Sequence, residues 1–162
     1  MGNAKNSKGK GGALEPEVLP PEEERRYYDR LRERIKGWTS DHAGSAASEV
    51  LLAGPDLFVL LSRLVRDRRV PAAEKVKLGA ALAYFIAPLD FLPEMLLGPL
   101  GYLDDVVLAA YVLESFVNSR DALLIKAHWP GNERAISVIQ RVLRLAKTVL
   151  GGSLWNRIRR AL

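Results

Sequence analysis

Residues 71–119, PAAEKVKLGAALAYFIAPLDFLPEMLLGPLGYLDDVVLAAYVLESFVNS, decide the fold. Pro71 suits the first position of a helix, where its missing N–H has no intrahelical partner to lose. Beyond it Val76, Ala80, Ala83 and Ala87 fall on one helical face, and Leu78, Leu82 and Phe85 on another. A helix apolar nearly all round must be buried centrally or contact lipid, since neither face favours water. Gly79, Ala80, Ala81 and Ala83 are small enough to let a neighbouring helix approach closely. The pattern predicts a break at Pro88, then a segment punctuated by Pro93, Gly98, Pro99 and Gly101, and a second helix from Tyr102 to Asn118. The stretch therefore reads as an apolar helical hairpin with a Pro/Gly-rich acidic turn.

The flanking segments read as helices too. Pro20 and Pro21 followed by Glu22, Glu23 and Glu24 mark a helix start, because negative charge in the first turn complements the macrodipole. Tyr27, Leu31, Ile35 and Trp38 form its apolar stripe, and Gly37 to Ser40 are expected to end it. A short helix from Ala46 to Leu52 is expected to stop at Gly54. Pro55 and Asp56 then open another, with Leu57, Leu61, Leu64 and Val65 inward and Arg66 to Arg69 as its exposed end. Ser119 and Asp121 introduce a short helix to about Trp129, broken by Pro130 and Gly131. Asn132 is the expected cap of a helix over 133–150, with Ile136, Ile139, Leu143, Ala146 and Leu150 on its apolar face and Gly151 and Gly152 at its end. Nothing alternates at period two, so the class is all-α, a small helical bundle around the hairpin. Four segments follow: a flexible tail over 1–20, N-terminal helices over 21–70, the hairpin and short helix over 71–129, and a basic C-terminal helix over 130–162.

Composition narrows the function classes. At 162 residues, 48% hydrophobic and 27% charged, the chain has the balance of one soluble globular domain. The absence of cysteine removes disulfides, thiol nucleophiles and thiolate metal sites, and accords with a reducing cytoplasm. Two histidines, His42 and His128, make a zinc site untenable and stand near no nucleophile motif, so both read as surface or interface residues. The N-terminus lacks the apolar core of a secretory signal. The longest uncharged run, 78–89, has twelve residues, short of the roughly 18 that a spanning helix requires. Charge is uneven: residues 71–125 carry net −4, whereas 126–162 carry eight basic side chains against Glu133 alone. A basic tail of this kind points to an anionic partner.

Tyr84, Pro88, Asp90, Pro93 and Glu94, followed by Gly101, Asp104 and Asp105, stand in an order that resembles the YkvA-like domain (domain of unknown function 1232), a mostly bacterial family without an assigned activity. The likeness covers about 47 residues, 71–117. Glu94 replaces the Asp usual in that family, keeping the carboxylate but reaching further. The resemblance implies two apolar helices joined by an acidic turn, and membrane association.

Four carboxylates in an apolar hairpin require a reason, because buried charge is costly unless paired. As structural groups, Asp90 caps the short helix begun at Pro93, Asp104 and Asp105 favour the dipole of the helix after Gly101, and Lys75 or Lys77 offers a partner. As functional groups, Asp90, Glu94, Asp104 and Asp105 offer oxygens to Mg²⁺ or Ca²⁺. The C-terminal segment supplies Arg134, Arg141, Arg144, Lys147, Trp155, Arg157, Arg159 and Arg160 for an anionic surface.

Together these features favour a non-enzymatic helical binding or scaffolding module, cytoplasmic and peripherally associated with the inner face of a membrane. Its expected partner is the anionic surface or a protein, and no cofactor is implied. A divalent-metal-dependent enzyme using the acidic hairpin and a nucleic-acid binder using the basic helix rank behind it. The small-molecule substrate, if one exists, is not specified by any motif.

Overall fold

The computed structural model describes residues 21–41, 45–91, 102–119 and 122–161. They form six helices: α1 (Pro21–Asp41), α2 (Ala46–Arg66), α3 (Ala72–Phe91), α4 (Tyr102–Ser119), α5 (Ala122–His128) and α6 (Ala135–Ala161). No strand occurs among the described residues, as the all-α reading expects. The expected tail over 1–20 and the turn over 92–101 lie outside them, as does His42.

The centre of the bundle is α2, which packs against all five other helices, while α4 packs against α2, α3 and α6. The sequence reads α3 as a helix that is either buried centrally or in contact with lipid; in the structure the centre is taken by α2. Among its described side chains Leu78, Ala81, Leu82, Phe85 and Ile86 are buried, and Val76, Ala80, Ala83 and Tyr84 are exposed. The reason lies in α2: Val50, Leu51, Leu57, Phe58, Leu60, Leu61 and Leu64 are all fully buried, so its apolar surface surrounds it more completely.

The length of α2 has its own cause. One helix is expected to stop at Gly54 and another to open at Pro55, yet a single helix continues through both. Pro55 forfeits one backbone hydrogen bond, but packing on several sides holds the helix across the defect. Gly54 is a packing residue, since a Cβ at that position would stand 3.0 Å from Val106 Cγ2 on α4. Ser45 caps the N-terminus, its Oγ accepting from the Ser48 N–H at 3.1 Å.

Other boundaries also run past their expected stops. α1 reaches Asp41, α3 continues through Pro88 to Phe91, and α6 continues through Gly151 and Gly152 to Ala161. Asn132 is not the cap of α6, which begins at Ala135. The residues before it are held otherwise: the Trp129 indole N–H donates to the Glu133 carbonyl at 2.6 Å, and the Glu133 carboxylate pairs with Arg141 at 2.8 Å.

One core joins these helices. Tyr27 of α1 stacks on Phe58 of α2 with ring centroids 4.2 Å apart, and Phe58 meets Phe85 of α3 edge-on at 6.0 Å. The Tyr27 hydroxyl donates to the Phe85 carbonyl, so a buried phenol finds the partner it requires. Val106, Val107, Ala110 and Leu113 of α4 and Ile139, Val142 and Ala146 of α6 complete the interior.

Candidate functional site

Of the two regions marked by the sequence, the acidic one is partly on view. Pro93, Glu94 and Gly101 lie outside the described residues, and so do the side chains of Pro88 and Asp90, whose backbone belongs to α3. Tyr84 is 59% exposed and lines no buried site. Asp104 and Asp105 occupy the first turn of α4, as expected. Their surroundings differ because adjacent helical positions point in different directions. Asp104 is exposed, whereas Asp105 is only 8% exposed and its Oδ2 has no hydrogen-bond partner among the described residues.

Burial pushes the Asp105 carboxyl up to about 7, with the neighbouring Asp104 charge adding to the effect. Neither Lys75 nor Lys77 neutralises the pair by any observed ion pair; Lys77 reaches Glu74 at 3.6 Å instead. Among the described residues no group of three His, Cys, Asp or Glu side chains converges as a metal site.

The basic region lies along α6 and the residue before it. Ala135, Val138, Ile139, Val142, Leu143 and Ala146 face inward from α6, and Ile136, placed by the sequence on that apolar face, is instead 38% exposed. The inward set clusters on one side at 3.6 residues per turn, which leaves Arg141, Arg144 and Lys147 on the other. Arg134, Arg144, Lys147 and Arg160 are exposed, and Arg141 is tied to Glu133. The side chains of Trp155, Arg157 and Arg159 lie outside the described set, although their backbone continues the helix. An axis of 27 residues gives α6 a length of about 40 Å at 1.5 Å per residue.

Two polar features carry no motif in the sequence. The first is a network at the junction of α1, α2 and α5. Glu24, 7% exposed, accepts from Ser62 Oγ at 2.8 Å, pairs with Arg66, and lies 3.6 Å from Arg63 Nε. Arg63 also donates to the His128 carbonyl at 3.1 Å. Arg66, expected as part of an exposed end, is thus drawn inward. The second is a pair of adjoining depressions of 420 and 350 Å³ that share Leu52, Asp56, Gly131 and Asn132. Burial raises the Asp56 carboxyl, opposed by the Arg32 charge and a hydrogen bond with Tyr28. Both features join residues from separate helices, so no local spacing announces them.

No helix among the described residues is long and apolar enough to cross a membrane. Residues 74–111 match the family described as "Protein of unknown function (DUF1232)", in agreement with the resemblance read from the Pro/Asp motif. The chain is 28% identical over 97 residues to "Uncharacterized protein ORF9" of Methanothermobacter thermautotrophicus, a match that takes in 60% of this chain and 66% of that protein. No solved structure matches the chain.

Proposed function

We propose that this chain is a non-enzymatic helical binding module that docks on an anionic membrane surface through the outer face of α6, on the cytoplasmic side where the leaflet is negatively charged. The observation that carries this reading is the division of α6 into two faces. From Ala135 to Ala146 its inward side is taken up by the core, while Arg144 and Lys147, with Arg134 just before its first residue, are exposed and no acidic side chain stands on α6 itself. With the inward residues of the first three turns engaged, attraction in this reading rests on charge, at about 1 kcal/mol per Lys or Arg near an anionic surface. A charge-driven interaction fades with salt, since screening acts beyond about 8 Å at physiological ionic strength.

The test is flotation of the full chain with vesicles of phosphatidylserine and phosphatidylcholine. Wild type should float at 50 mM salt and largely release at 500 mM, while Arg144→Glu with Lys147→Glu should fail to float at either. Binding that survives high salt would replace this reading with apolar insertion. Binding to duplex DNA without vesicle binding at the same salt would overturn it in favour of a nucleic-acid partner.

A further inference from the structure

The central helix opens to solvent at one place along its middle. Between Ser48 and Ser62 every residue of α2 is buried except Glu49, Leu52 and Asp56, which stand three and four positions apart and so share one face. Leu52 and Asp56 line both of the adjoining depressions, which α1 walls on one side and the segment 129–133 with the start of α6 on the other. The two halves of this groove differ in charge. The 420 Å³ half is lined by Glu49 and Asp56, while its Glu133 and Arg141 offset each other as an ion pair at 2.8 Å. The 350 Å³ half is lined by Arg32 and Lys36 of α1 and shares Asp56. Arg32 donates to the Tyr28 hydroxyl at 3.3 Å and Tyr28 hydrogen-bonds with Asp56, so a phenol bridges the two charges. Lys36 pairs with Glu33 at 3.5 Å, but both side chains are well exposed and such a pair is weak. Between the acidic and basic ends lies Leu52, an apolar side chain that is 55% exposed.

We propose that this groove binds a primary ammonium joined to a phosphate by a short carbon spacer, the chemistry of phosphoethanolamine, either free or as a lipid headgroup. The ammonium donates to Asp56, with Glu49 adding negative potential and Trp129 as a wall of the same depression. The spacer lies on Leu52, and the phosphate meets Arg32 and Lys36. Each end has its reason. Burial disfavours the charge on Asp56, and an ammonium supplies the counter-charge that a half-buried carboxylate lacks. Two cations one helical turn apart suit a phosphate better than a single carboxylate, and the guanidinium fork matches phosphate oxygens. Opposite charges in adjoining depressions call for a spacer, so an α-amino acid, with both charges on one carbon, is the poorer fit. The far wall is set before any ligand arrives: the Trp129 indole N–H is held by the Glu133 carbonyl, and a Cβ at Gly131 would stand 2.8 Å from Trp129 Nε1. A wall fixed in advance lowers the ordering cost of binding. Each depression also has the size of a small-ligand site, which runs from about 300 to 1,000 Å³.

Calorimetric titration of the full chain decides the matter. O-phosphoethanolamine should bind about tenfold or more tightly than ethanolamine, inorganic phosphate or phosphocholine, each of which lacks one end or the N–H donors. Asp56→Asn should reduce its affinity to that of inorganic phosphate, and Arg32→Gln to that of ethanolamine. Glu49→Gln changes an exposed side chain, so it should weaken binding several-fold without moving the melting temperature, and it carries the test if Asp56→Asn does not fold. The two sources separate on vesicles at high salt, where attraction through α6 is screened. Flotation with phosphatidylethanolamine but not with phosphatidylcholine assigns the groove to the lipid headgroup; binding of the soluble compound without that difference assigns it to the free one. Arg144→Glu with Lys147→Glu lies outside the groove and should leave O-phosphoethanolamine affinity unchanged, so this site and docking through α6 fail independently. Equal affinity for inorganic phosphate, ethanolamine or phosphocholine would overturn the proposal. So would unchanged affinity in the folded variants, or no binding to wild type at concentrations up to about 10 mM.

Discussion

His128 Nε2 lies 2.6 Å from Asp67 Oδ2, joining the end of α5 to the residue that follows α2. The same carboxylate pairs with Arg69 at 2.7 Å and accepts the Arg69 backbone N–H at 2.8 Å. Its side chain is only 8% exposed, so these donors replace its hydration. Hydrogen bonds from Arg69 and His128 hold the Asp67 carboxyl well below the usual carboxylate range.

A carboxylate with a depressed folded value stabilises the fold most above its unfolded value of about 3.9, and that contribution is lost as pH falls toward the folded value. Asp67→Asn should therefore cost about 1–3 kcal/mol at pH 7, the range for lost hydrogen bonds to a charged group. The gap between wild type and variant should narrow below pH 4. Urea denaturation at pH 7, 4 and 2.5 reads both; a gap that stays constant across this range would show that the charge contributes nothing.

Asp105 predicts the opposite slope. Its carboxyl is raised to about 7, so between about pH 4 and 7 the folded state holds more protons than the unfolded state. Stability conferred by the protonated form is full below about pH 4, declines as pH rises through that window, and levels off above it. At 1.36 kcal/mol per unit the decline is about 4 kcal/mol at most. Asp105→Asn should raise stability at pH 8, leave it nearly unchanged at pH 4, and flatten the curve between. A stability of Asp105→Asn that tracks wild type at both pH 4 and pH 8 would show that the burial of this carboxyl costs nothing.

Where the sequence and the fold part company, the cause is long-range packing. The stripe Tyr27, Leu31, Ile35 is legible because its spacing lies within one helix, and all three residues are buried. Gly54, Pro55 and Gly151 mislead because each is a local breaker, and whether it acts as one depends on what holds the helix on either side. Val106, which gives Gly54 its meaning, is far away in sequence and on another helix. The division of α6 into an apolar and a basic face is legible from spacing, with Ile139, Leu143 and Ala146 buried as expected, but its edge is not, since Ile136 has a core residue's chemistry and a surface residue's place. Asp105 is marked by motif, but nothing local says that it is buried while Asp104 is exposed.

The contact between Gly54 and Val106 is open to a double-substitution cycle. Gly54→Val should lower stability by about 1–3 kcal/mol, because methyl groups would be forced into space that Val106 Cγ2 occupies 3.0 Å from the position of a Cβ. Combined with Val106→Ala, the loss should be smaller than the sum of the two single losses by about 1 kcal/mol or more, as neighbours that share space are not additive. Strict additivity in chemical denaturation would mean that the glycine is tolerated for some reason other than this contact.

The continuity of α6 through Gly151 and Gly152 makes a final prediction that links the fold to membrane docking. If the basic residues act as one array on a rigid helix, breaking the helix must weaken binding even though every charge is kept. Gly151→Pro removes a backbone hydrogen bond and clashes with the carbonyl four residues earlier, at a cost of about 3 kcal/mol to local helicity. Among the described side chains of α6 the fully inward set runs from Ala135 to Ala146, with Val149 packed against it, so the melting temperature of the proline variant is measured alongside binding. Gly151→Ala works the other way, adding about 1 kcal/mol of helix propensity at the same position. Vesicle affinity at 50 mM salt should accordingly fall several-fold in the proline variant and hold or rise in the alanine variant. If both bind as wild type does, charge count rather than helical alignment governs docking, and residues 151–161 act only as a basic tail.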